Sequence, residues 1–186
     1  MKAIRALVAV LAFTCCAHAA DEPPPGIPDS GAGRTWRIEK DGMAFRLTRI
    51  LPDQVRAFYG ARGFDAGVVD MLARACFFQT VIRNDTTDKT ADVNLAEWRI
   101  ENRVAGRPLT LERDWQRRWE AMKLAASLRK TFRYALFPSV QRFAPGDWNM
   151  GMTSILPAPA ERFNLRVRWQ VHNESFDAVM EAVECN

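Results

Sequence analysis

The chain has 186 residues, with 26 lysines and arginines against 22 acidic residues, a formal charge of +4. Lys2 and Arg5 lie in a segment expected to be removed, which leaves +2 spread along the chain and argues against a nucleic-acid-binding protein. Roughly 165 residues would remain, enough for one domain with a proper core.

Residues 1–20 read MKAIRALVAVLAFTCCAHAA: a charged head, an apolar run from Ala6 to Cys16, and the small residues Ala17 and Ala19 around His18. This pattern predicts a secretory signal peptide, cleavage after Ala19 or Ala20, and a periplasmic or secreted protein. Cys15 and Cys16 close the apolar run. Ala12, Phe13 and Thr14 ahead of them lack the branched aliphatic and small residue that precede a lipid-acceptor cysteine, so free export is the expectation. No comparable run recurs, and no membrane span is expected. Residues 21–35, beginning DEPPPGIPDSGAG, hold too little apolar bulk to offset ordering entropy and read as a flexible spacer.

From residue 36 a single domain is expected. WRIEK and MAFRLTR alternate apolar with polar residues around Asp41-Gly42, a hairpin dipeptide. Helices follow over about 53–75. Pro52 and Asp53 start the first, Gly63 supplies a left-handed stop, and Asp65 opens the second, which carries Val68, Met71, Leu72 and Ala75. This pair should cover one end or face of a sheet. CFFQTVIRN, from Cys76, changes to a period of two, and VNLAEWRIE is expected as its antiparallel partner. Over 114–130, Trp115, Trp119, Met122 and Ala126 form a helical stripe. TFRYALF then reads as a strand ended by Pro138, with further strands at NMGMTSI, FNLRVRWQV and FDAVMEAVEC. Phe163, Leu165, Val167, Trp169 and Val171 alternate strictly with polar residues, and His172 to Ser175 should make the next hairpin turn. The expected fold is mainly β, an antiparallel immunoglobulin-like β-sandwich with an N-terminal helical pair and a helical insertion.

Cys76 and Cys185 are the cysteines left after cleavage, and an oxidising compartment predicts their disulfide. In PGDWNMGM, Met150 and Met152 would share one side of a strand, with Gly151 letting another group approach the backbone between them. Two thioethers with His172, the one histidine left, could hold Cu(I). The alternative is packing, with Trp148, Met150 and Met152 as a buried stripe.

A catalytic triad has no presented nucleophile beside His172, and Asp114, Glu120, Glu161, Glu174 and Asp177 show no spacing that selects an acid–base pair. No phosphate loop or zinc cluster occurs. Asn84-Asp85-Thr86 and Asn173-Glu174-Ser175 would matter only in a glycosylating host. Arg113, Arg117, Arg118, Lys123, Arg129 and Lys130 lie largely opposite the tryptophan stripe and could dock an acidic partner. The expectation is a non-catalytic exported accessory protein without a cofactor, binding an unidentified protein of the cell envelope. A Cu(I) chaperone is the second reading and a hydrolase with an unrecognised carboxylate site the third.

Overall fold

The computed structural model describes residues 33–101 and 106–185. The expected signal peptide, and the expected spacer as far as residue 32, lie outside them. Strands β1 (Thr35–Lys40) and β2 (Met43–Ile50) pair antiparallel around Asp41 and Gly42, whose φ values of 51° and 75° match a two-residue hairpin turn. Met43, Phe45 and Leu47 are buried, as their alternation requires.

Helices α1 (Pro52–Gly60) and α2 (Ala66–Ala73) follow. Gly63 takes φ 82°, and the Phe64 N–H returns to the Tyr59 carbonyl, so a left-handed glycine ends this turn as expected. Asp65 caps α2 by accepting the Val68 N–H at 2.9 Å.

Strand β3 (Cys76–Asn84) does not pair with the segment that follows it. It lies between β2 and β7 (Trp148–Ile155), giving a sheet of order β1-β2-β3-β7. VNLAEWRIE instead crosses to a second sheet and splits into β4 (Ala91–Asn94), a 3-10 turn (Leu95–Glu97) and β5 (Arg99–Glu101). The cause is the corner at Asn84, which is fully buried. Its amide donates to the carbonyls of Lys89 and Phe143, and its side-chain oxygen accepts from the Thr86 backbone and hydroxyl. These bonds turn the chain away from the first sheet before a hairpin can form.

In the second sheet, β8 (Phe163–Val171) is central, and all pairing is antiparallel. β9 (Glu174–Val183) flanks one side of it, across a turn in which His172 and Asn173 have φ of 49° and 68°. β4 and β5 share the other side, Val93 opposite Trp169 and Ile100 opposite Leu165. β6 (Val140–Phe143), not foreseen from the sequence, pairs outside β4. Only four residues long, it offers one buried side chain, Phe143, to any pattern search.

The region after β5 departs most from expectation. One helix over 114–130 followed by a strand is replaced by α3 (Glu112–Ala121) and α4 (Ala126–Ala135). Phe132 is buried while Tyr134 is 69% exposed; residues two apart face the same way on a strand and nearly opposite ways on a helix. The break is a Schellman closure: Leu124 N–H bonds the Trp119 carbonyl and Lys123 N–H that of Glu120, with Lys123 at φ 55°. Trp115 and Trp119 are buried as foreseen, but Met122 and Ala126 are exposed, because the break swings them off the stripe.

The fold is thus mainly β, two antiparallel sheets whose inner faces share one core. Phe45 sits there between Trp98 and Trp169, with ring centroids 5.9 and 5.1 Å away. A second core lies on the outer side of the first sheet. Phe77 points opposite to Phe78, and all four helices gather over it through Tyr59, Val68, Trp115, Trp119 and Phe132.

Cys76 and Cys185 are bonded across 109 residues. Next to Cys185, Glu184 accepts from Arg34 at 3.1 Å and Arg162 at 3.0 Å, and Arg49 lies 3.7 Å away. The Arg34 bond, supported by Arg162, holds the Glu184 carboxyl below its ordinary range.

Two outcomes follow from this closure. Cys76→Ala/Cys185→Ala should lower stability by up to about 4 to 5 kcal/mol, the chain-entropy limit for a loop of this size, read from the urea midpoint. A depressed folded-state pKa stabilises above the unfolded pKa and is lost as pH falls through the folded one. The stability difference between the wild type and Glu184→Gln should therefore be full at neutral pH and shrink on acidification below the ordinary carboxylate range, as measured by denaturant titration.

Candidate functional site

Two groups of side chains singled out above can be placed. Met150 and Met152 lie opposite Val81 and Gln79 of β3, on the outer face of the first sheet, together as strand parity requires. Both sulfurs already accept hydrogen bonds. Gln79 Nε2 donates to Met150 Sδ at 2.8 Å and the Tyr59 hydroxyl to Met152 Sδ at 3.7 Å. Burial pushes the Tyr59 phenol well above its ordinary pKa, which keeps it a neutral donor.

The expected buried stripe is not fully buried at any of its three positions. Met150 and Met152 are half-buried but Trp148 is 45% exposed, because the helical layer covers only the end of the sheet near Phe77. His172 is exposed in the β8–β9 turn of the other sheet. The group that approaches Gly151 is the chain itself. A Cβ there would stand 2.6 Å from the Phe137 Cα and N, and the Phe137 N–H donates to the Met152 carbonyl at 2.8 Å. Among the described residues, no three of His, Cys, Asp or Glu are placed to hold a metal ion.

The five carboxylates are dispersed. Asp114 accepts the Leu111 N–H and pairs with Arg117, and Asp177 shares Arg166 with Glu101 across β8. Glu120, Glu161 and Glu174 are exposed.

The basic group converges on one element pair. Residues 112–135 hold seven basic and three acidic side chains, a formal +4, whereas residues 52–75, the other helical pair, hold three of each. Residues 33–186 total +5, so the excess that looks spread along the sequence belongs almost entirely to α3–α4. Burial of Trp115, Trp119 and Phe132 against Phe77 fixes which sides of these helices face out. Trp115 is anchored further by its indole N–H, which donates to Ser154 Oγ of β7 at 2.8 Å.

Arg117 is held by Asp114 at 2.5 Å, and Arg133 stands 3.9 Å from Glu112. Arg113, Arg118, Lys123, Arg129 and Lys130 have no ion pair among the described residues. Lys130 Nζ and the Arg133 guanidinium lie 5.7 and 5.6 Å from the ring centroid of Tyr134, within cation–π range. Arg133 and Tyr134 are absent from the sequence-derived group, since a strand reading of TFRYALF hid them. The four-residue recurrence of Leu124, Leu128, Phe132 and Leu136 is the signal that would have found them. Beside α3 runs an open groove whose lining includes Asn94, Glu112, Arg113, Arg117, Glu120 and Val140.

No known protein family, curated protein or solved structure matches the chain.

Gly151→Ala should destabilise the protein by about 1 to 3 kcal/mol in thermal or chemical unfolding, because the added carbon meets backbone rather than a flexible side chain.

Proposed function

We propose that the protein is an exported, non-catalytic accessory protein of the cell envelope that docks an acidic partner through the outward face of α3–α4. The observation that carries this reading is the concentration of charge: a formal +4 within 24 residues, with five cations left without ion pairs among the described residues. Unpaired cations keep their field for an approaching anion, whereas internally paired ones are largely neutralised. Export is supported by the charged head and apolar run of residues 1–20, together with a disulfide suited to an oxidising compartment. We read the two face-packed antiparallel sheets as an immunoglobulin-like sandwich, in which α1–α2 and α3–α4 are additions on one outer face. A rigid β scaffold that holds a helical pair by buried tryptophans suits surface recognition, because the docking face is preorganised before contact.

The test is capture of envelope components, protein or lipid, from detergent-solubilised envelope extract by the purified protein. Capture should weaken as salt is raised and be lost in Arg118→Glu/Lys123→Glu/Lys130→Glu. It should persist in Arg74→Glu/Lys89→Glu/Arg168→Glu, which makes the same charge change at exposed residues elsewhere. Equal loss in the two triple variants would show net charge, rather than the α3–α4 face, to be responsible.

A further inference from the structure

We infer that the acidic surface met by α3–α4 is a bilayer rich in anionic headgroups, on which the protein lies without crossing it. The inference rests on the docking reading above and names its partner.

Among the described residues, the large apolar side chains left exposed are Met122, Tyr134, Val140 and Trp148, and two of these four stand on the most basic element pair. Lys130 and Tyr134 sit at i and i+4 of α4, on the side opposite buried Phe132, with exposed Arg133 on the flank between. Met122 and Lys123 form the turn at the other end of the pair, Met122 being 47% exposed. An apolar anchor therefore stands at each end of a cationic strip about 15 Å long, the length of a ten-residue helix. A phenol ring between two cations has the make-up of a headgroup-level anchor: its body enters the acyl boundary, its hydroxyl stays wet, and its neighbours meet phosphates.

The alternative occupant, an acidic peptide, would use the groove beside α3. No α4 residue lines that groove, and in its wall Glu112 and Glu120 offset Arg113 and Arg117, so it offers an acidic chain no net attraction. The cations and Tyr134 of α4 stand on the exposed side of a helix, where a bilayer surface can meet them without a pocket. No helix among the described residues is long and apolar enough to cross a membrane, so the contact is interfacial.

The purified protein is to be sedimented with vesicles of phosphatidylcholine alone and of phosphatidylcholine with phosphatidylglycerol. Partition is expected only with phosphatidylglycerol. It should fall about tenfold or more in Arg118→Glu/Lys123→Glu/Lys130→Glu and on raising salt, but hold in Arg74→Glu/Lys89→Glu/Arg168→Glu. With Cys76 and Cys185 bridged, Tyr134→Cys can carry a polarity-sensitive dye, whose emission should shift to the blue on phosphatidylglycerol vesicles. Equal binding to both vesicle types, equal loss in both triple variants, or an unshifted dye on sedimented protein would overturn the inference. If no vesicle is bound while capture from envelope extract still depends on α3–α4, the lipid assignment falls and the docking reading stands. If both fail, both are wrong.

Discussion

Phe77 and Phe78 are neighbours in the chain and point to opposite sides of one strand. Each is fully buried, and each would lose about 1.5 to 3 kcal/mol if its side of β3 were left in water. That double burial governs the architecture. On the Phe78 side the second sheet closes the core. On the Phe77 side no third sheet is available, so the helices supply the cover, with Tyr59 from α1, Trp115 and Trp119 from α3 and Phe132 from α4 packed ring against ring.

Function enters through the same constraint. A helix that sends its aromatic side chains to Phe77 has no freedom over which side it shows outward, and on α3 and α4 the exposed residues are mostly arginines, a lysine and one tyrosine, beside Glu120 and the small Ala121, Ala126 and Ser127. The α1–α2 pair answers the same packing demand with a balanced surface. Since both pairs solve one structural problem, the charge on α3–α4 is not required by the fold, and the explanation we propose for it is a partner surface. The indole bond from Trp115 to Ser154 ties that face to the sheet, so the cations are held at fixed spacing rather than on a loose arm.

The methionine pair shows how one local pattern can serve two chemistries. Strand parity put both sulfurs on one side, which copper binding and packing alike require. What distinguishes the two readings in space is the company each sulfur keeps: an amide from β3 for Met150, a buried phenol from α1 for Met152, and the crossing chain at Gly151. None of those neighbours is adjacent in sequence.

By itself the sequence determined what depends on neighbours a few residues apart. Asp41-Gly42 made a hairpin, Gly63 a left-handed turn and Asp65 a cap; β3 and β8 took the expected bounds because alternation and length are local properties. Two lone cysteines in a chain read as exported were enough to name their bond. Local pattern failed where a special backbone was built from an ordinary residue. Lys123 closes α3 with the geometry that Gly63 uses after α1, and since lysine advertises no turn, sequence pattern continues the helix to Lys130 and puts Phe132, Arg133 and Tyr134 in a strand. Only the tertiary structure decided which strands share a sheet. The corner at buried Asn84 is made with Lys89 and with Phe143, the latter 59 residues away, and no local spacing contains that contact. The gathering of the basic residues onto one face was likewise decided in space, because it follows from which side of α3 and α4 is drawn to Phe77, a residue about forty positions upstream of the two tryptophans.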